Sequence, residues 1–280
     1  MRGKLKKLFA AVLAVLLALS FSGCSELTGL DAQALMSPPK TTADREAIYA
    51  LMGGGVGDVT LVYPKYGDYR SAIISRDLDG CGTSEVVSFC ANGDAGGTRL
   101  EFFKKNTDGV WSSMARFTSA ATQVDKVFFG DLTGDGMDEI IVGWGDPLTA
   151  TASVSVYYVD GDTIREFSMT TVSYSEMLLT DFDSDNIKEL FVLQAAQTSG
   201  EEIMALGGLY RFDGDQPYVS KTVPLDAAVT RYTSVSFSQV NSWRRAAVLD
   251  GVKADGRMLT QVIGYDEASD RLISPLSNEE

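Results

Sequence analysis

The sequence predicts an all-β protein, a β-propeller-like array of about four antiparallel four-stranded blades preceded by one short helix. Three observations carry that prediction. An acidic, glycine-containing loop recurs three times at nearly constant spacing. Each copy runs into an apolar β-type segment, and each segment is followed by a hairpin with Asp-Gly between aromatic and β-branched residues. The chain has 280 residues, 45% of them hydrophobic and 10% aromatic, which is enough apolar mass to bury such a core.

The first element is an address. Arg2, Lys4, Lys6 and Lys7 precede an apolar run of 14 residues, Leu8 to Phe21, which ends in Ser22, Gly23 and Cys24. A charged start, an apolar stretch and small residues at its end form an export signal. At 1.5 Å per residue the run covers about 21 Å of a roughly 30 Å hydrocarbon core, which disfavours an uncleaved span. Phe21-Ser22-Gly23-Cys24 resembles a bacterial lipobox, with Phe21 where Leu is usual. That resemblance implies removal of residues 1–23, lipidation of Cys24 and a place on the outer face of the cell membrane. Losing residues 1–23 leaves 20 basic residues against 38 acidic ones, a net charge of −18. Such a body is repelled by anionic lipid, so it touches the membrane through its lipid only.

Residues 24–42, with Pro38 and Pro39, read as a polar tether. Residues 43–51 read as a helix with Ala47, Ile48 and Leu51 inward and Asp44, Arg45 and Glu46 outward, plugging one face of the domain.

The remainder of 43–280 reads as repeats near 56–115, 116–168, 169–222 and 223–275. Their loops are Asp77-Leu-Asp79-Gly-Cys81-Gly-Thr-Ser-Glu85, Asp131-Leu-Thr133-Gly-Asp135-Gly-Met-Asp-Glu139 and Asp181-Phe-Asp183-Ser-Asp185-Asn-Ile-Lys-Glu189, starting 54 and 50 residues apart. Oxygen-bearing side chains stand at places one, three and five, Cys81 excepted. The sixth place is Gly or Asn and the ninth is Glu. Alternate residues of a tight loop converge on one point, the sixth must tolerate positive φ, and an oxygen-only ligand set suits a hard cation such as Ca²⁺. An EF-hand needs Glu at the twelfth place and flanking helices, but Ser88, Val142 and Val192 stand there within strand-like runs. The plain alternative is that these are Asp-Gly turns with no metal. A fourth copy, Phe237 to Leu249, keeps the apolar places and lacks the acids.

Strands are expected at Val86–Cys90, Ile140–Trp144 and Leu190–Leu193, then hairpins around Asp108-Gly109, Asp160-Gly161 and Asp213-Gly214, with a weaker fourth at Val262–Ile273. Asp-x-Asp-x-Asp-Gly-x-x-Glu followed by Ile-Ile-Val-Gly, seen best from Gly130 to Gly143, resembles the FG-GAP/VCBS-type repeat of integrin-α-like β-propellers. The resemblance covers roughly residues 56–275 and is diluted by Cys81 in the first repeat. Lipobox, tether and repeats together are similar to bacterial VCBS-repeat lipoproteins. The resemblance implies structural Ca²⁺ at two or three sites that brace the blades. Their ligands are Asp77, Asp79 and Glu85; Asp131, Thr133, Asp135 and Glu139; and Asp181, Asp183, Asp185 and Glu189. Integrin-like propellers usually close with seven blades, so four imply a small ring, an open arc or part of a longer array; the last hairpin ends near Ser274, where a fifth repeat would start, which points to an incomplete ring.

Composition narrows the function. With no His, Ser-His-Asp triads, Cys-His dyads and His-ligated zinc are excluded. A net charge of −14 argues against nucleic acid. Cys81 falls in a loop and Cys90 late in the following strand, a placement that does not favour a disulfide even though export would allow one. The leading expectation is a non-enzymatic, lipid-anchored binding or scaffold module for a protein or glycan. Tyr63, Tyr66, Tyr69, Trp111, Trp144 and Trp243 are its glycan-contact candidates, unless they are core between blades. The alternatives are an accessory subunit of an envelope complex, with Arg244 and Arg245 as a partner contact, and a carboxylate-dependent polysaccharide-active enzyme.

Overall fold

A computed structural model describes residues 43–145, 152–168, 172–199, 202–213, 216–241 and 244–274. The expected signal, Cys24, the tether and Trp243 lie outside the described residues, as do the side chains of Arg244 and Arg245. All the sheet structure falls in the compact unit Glu46–Glu280.

The fold is all-β and propeller-like, with four antiparallel sheets whose strands lie side by side in chain order. The first holds β1 (Ile73–Arg76), β2 (Glu85–Ala91), β3 (Thr98–Lys105) and β4 (Trp111–Ser119). The second holds β5 (Gln123–Gly130), β6 (Glu139–Gly145), β7 (Ala152–Asp160) and β8 (Thr163–Glu166), with β9 (Val172–Tyr174) also paired to β7. The third holds β10 (Glu176–Thr180), β11 (Glu189–Ser199), β12 (Glu202–Asp213) and β13 (Gln216–Pro224). The fourth holds β14 (Val229–Asn241), β15 (Arg244–Lys253), β16 (Met258–Asp266) and β17 (Arg271–Ile273).

The apolar runs after the acidic loops are continuous rather than alternating because the second strand of each of the first three sheets is covered on both faces. In β6, Ile140, Val142 and Trp144 enter a core shared with the first sheet, while Ile141 enters one shared with the third. In β11, Leu190 and Val192 face the second sheet, and Phe191 and Leu193 face the fourth. Outer strand β4 instead mixes exposed and half-buried residues. The core thus consists of three inter-sheet layers, and among the described residues no such layer joins the fourth sheet to the first.

The free face of the first sheet is covered by helix α1 (Ala43–Leu51), which ends where the left-handed Gly53 breaks it. Ile48 and Met52 pack on Val86, Cys90 and Phe103. The buried helical residues are Ile48 and Tyr49, whereas Ala47 and Leu51, expected inward, are half-buried. Cys81 and Cys90 are free thiols, one exposed and one buried. Among the described residues no helix is long and apolar enough to cross a membrane.

Candidate metal centre

The three acidic loops join the first and second strands of the first three sheets, and they share one backbone. The first Asp of each accepts the N–H of the sixth residue through Oδ2: Gly82 at 2.9 Å, Gly136 at 2.9 Å and Asn186 at 3.0 Å. The ninth residue, a buried Glu, reaches back through Oε2 to the N–H of the second: Leu78 at 2.9 Å, Leu132 at 2.6 Å and Phe182 at 2.9 Å. The sixth place has positive φ in every copy, as expected, and so does the fourth: Gly80, Gly134 and Ser184. A side chain at Gly134 would be strained, because φ there is +81° and a Cβ would lie 2.8 Å from Cδ1 of Ile187 in the next loop.

The second residue of each loop is a plug. Leu78 inserts into the layer between the first and second sheets, Leu132 between the second and third, and Phe182 between the third and fourth. The loops are also chained: Asp138 N–H donates to the Leu78 carbonyl at 3.1 Å and Lys188 N–H to the Asp131 carbonyl at 2.8 Å. Arg76 adds a bond from Nε to Asp138 at 2.5 Å. Carboxylates that fix these loops therefore fix how consecutive sheets meet.

Burial of the ninth-place Glu makes its charge costly. Desolvation pushes Glu139 up to about 7, assisted by the negative charges of Asp135 and Asp131. Desolvation also raises Glu85 and Glu189 above the ordinary carboxylate range.

The three loops fit Ca²⁺ unequally. In the second, Asp131, Thr133, Asp135 and Glu139 all offer oxygen and Thr133 Oγ1 is buried without a hydrogen-bond partner among the described residues, but its three acids do not converge within 4.8 Å as three donors of each of the other two loops do. In the first, donor atoms of Asp77, Asp79 and Cys81 lie within 4.8 Å of one another, and Asp77 Oδ1 is likewise buried and unpartnered. Its Cys81 is a soft donor where a hard cation prefers oxygen. In the third, donor atoms of Asp181, Asp183 and Glu189 come within 4.8 Å, but the Arg211 guanidinium already binds Asp183, Asp185 and Glu189. Sequence reasoning missed Arg211, which only the register of β11 with β12 brings to this loop.

In the fourth copy the described residues on either side, up to Asn241 and from Arg244, are strand. Pairing of β14 with β15 continues to Asn241 opposite Arg244, so ladder bonds replace the acidic turn.

A cavity of about 820 Å³ opens among β5, β10, β14 and the segment Lys65–Asp68. In its wall Lys126, 7% exposed, is held by both Glu176 oxygens at 2.6 Å. Tyr174 donates its hydroxyl to Asp125 at 2.6 Å, and burial raises its proton affinity. Tyr66 on the rim is exposed, as is nearby Tyr63. The other aromatic candidates are structural: Tyr69 stacks edge-on against Phe129, Trp144 is buried against Phe89, and Trp111 packs beneath α1.

No protein-family model matches the chain, and no curated protein matches its sequence.

Proposed function

We propose that this chain is an exported, lipid-anchored binding module whose propeller-like sheets are braced by Ca²⁺ at acidic loops and whose ligand, a protein or glycan, meets the inner-strand cavity. The observation that carries the reading is the wall of that cavity. Buried Lys126 is paired with half-buried Glu176 and half-buried Asp125 is bonded by Tyr174, while exposed Tyr66, Lys65, Asp68 and Arg231 and the hydroxyl-bearing Thr230, Thr233 and Ser234 line the opening. Glu176 and Asp125 are thus engaged, and exposed Asp68 is the one other carboxylate lining the cavity among the described residues, whereas glycoside cleavage would need one acid and one base or nucleophile. A polyhydroxylated ligand suits such a wall, with the ring of Tyr66 as a stacking surface.

The test is a glycan array probed with the full chain in millimolar Ca²⁺. Retention of a glycan, lost in Tyr66→Ala but kept in Tyr63→Ala, supports the cavity reading. Release of reducing ends from a retained glycan would replace it with the enzyme reading. Absence of any retention, with a partner co-purifying from membranes, would favour the accessory subunit.

A further inference from the structure

The third loop carries the fullest set of acids, Asp181, Asp183, Asp185 and Glu189. The structure places a cation from the chain itself there. Strand register explains how. Leu190 pairs with Tyr210, so the next cross-strand neighbours are Glu189 and Arg211. The same step puts Lys104 opposite Glu85 and Tyr158 opposite Glu139, because Val86 pairs with Phe103 and Ile140 with Tyr157. Lys104 turns away to pair with Asp162 of the next sheet, and Tyr158 stacks on Phe167. Of these three cross-strand residues, only Arg211 turns into its loop.

Arg211 Nη2 donates to Asp183, to Glu189 Oε1 at 2.5 Å and to Asp185 Oδ2 at 3.2 Å. The Glu189 side chain is fully buried, and the Arg211 side chain is 30% exposed. Asp181 spends both oxygens on the N–H groups of Ser184 and Asn186. One guanidinium nitrogen thus engages three carboxylates that a metal ion would have to bridge.

We infer that Arg211 is the resident cation of the third loop, standing in place of a metal ion, and that the loop becomes a divalent-cation site only when Arg211 is removed. This rests on the reading of these loops as cation sites. Its consequence is that the third sheet keeps its brace when Ca²⁺ is withdrawn, while the second loop, with no cationic side chain opposite Glu139, does not.

The test is Arg211→Met, which keeps much of the apolar stem and removes the charge, made in the full chain purified in detergent. Native mass spectrometry counts bound Ca²⁺, and thermal unfolding is followed in chelator and in millimolar Ca²⁺. The expected result is one more bound Ca²⁺ than in the wild type, with the melting temperature in chelator lowered on the order of 10 °C and largely restored by Ca²⁺. Equal ion counts in the two proteins overturn the inference, as does an unchanged melting temperature in chelator. If Arg211→Met does not fold, Glu189→Gln decides: a loss of stability equal in chelator and in Ca²⁺ supports a resident cation, and a loss confined to Ca²⁺ overturns it. A wild type indifferent to Ca²⁺ would sink the calcium reading of the other loops, yet the fall of Arg211→Met in chelator would still report on Arg211.

Discussion

Glu139→Gln should change sign with calcium. Glu139 is 2% exposed and is pushed up to about 7 from an ordinary carboxylate value of 4.5. A folded-state value above the unfolded one means the cation-free fold binds this proton more tightly than the unfolded chain does. The resulting stability is fully present below the unfolded value and is lost as pH rises through the folded one. At about 1.4 kcal/mol per pH unit, the loss across that window is about 3 kcal/mol. For a body of this size that is roughly 6 to 12 °C in melting temperature. Gln keeps an oxygen for the Leu132 N–H and removes the charge, so in chelator at pH 8 Glu139→Gln should melt above the wild type by up to that amount. The two curves should converge below about pH 5. In Ca²⁺ at a thousand times its dissociation constant, the wild type gains about 4.1 kcal/mol by mass action, more than the deficit, and a variant that no longer holds the ion gains nothing, so their order reverses. Differential scanning calorimetry of both proteins from pH 4.5 to 8.5, with chelator and with Ca²⁺, reads all four arms. Repulsion among the other acids slopes both curves alike, and the difference between them isolates Glu139. A variant that melts below the wild type in chelator at pH 8 would refute the claim that a buried charge strains this loop.

Other substitutions test the packing on which the site depends. Leu132→Ala removes the plug between the second and third sheets and should cost about 2–5 kcal/mol in urea unfolding. A value under 1 would show that the loop does not brace that layer. Gly143→Ala would place a Cβ 2.1 Å from the Tyr174 hydroxyl and 2.6 Å from Met177. It should destabilise by about 1–3 kcal/mol and displace Tyr174 from Asp125, visible as a changed tyrosine titration by ultraviolet difference spectroscopy. With Cys24 set aside, a thiol reagent should label Cys81 in the folded protein and Cys90 only after denaturation. Labelling of neither, even when denatured, would reveal a disulfide.

The sheets were legible because their signals are local. A buried second strand needs a continuous apolar run, a tight acidic turn needs Asp and Gly at fixed places, and a hairpin needs Asp-Gly, so each repeat announced its own strands. The helix was harder, since Ile48, Tyr49 and Met52 share one face as plausibly as Ala47, Ile48 and Leu51 do. Only the first sheet's surface selects between them. Arg211 was out of reach for a related reason: its partner Glu189 lies 22 residues away, and only the register of β11 with β12 puts them opposite each other. The cavity, drawn from segments as far apart as Lys65 and Val235, has no linear signature at all.

The three loops and their fourth counterpart are alternative answers to one physical demand. Each inner strand must turn back at the rim, and in the first three sheets it must also carry an apolar plug into the next layer. A tight turn with a plug exposes backbone N–H groups, which carboxylates satisfy: Asp131 takes those of Gly134 and Gly136, and Glu139 takes that of Leu132. Gathering carboxylates then creates repulsion that needs a positive charge. The third loop takes it from Arg211, whereas the second has Tyr158 across the strand, and on our proposal its positive charge comes from a cation in solution. The fourth avoids the demand by running the β14–β15 ladder out to Asn241 and Arg244, where backbone satisfies backbone and no acid is needed. On this argument, loss of the acids in the fourth repeat and gain of Arg211 in the third are two ways of freeing a sheet from dissolved metal. Calcium withdrawal should therefore loosen the junction of the second and third sheets before that of the third and fourth. Hydrogen exchange in chelator checks the order: the amide of Leu132 should lose protection ahead of that of Phe182, and the reverse order would contradict it.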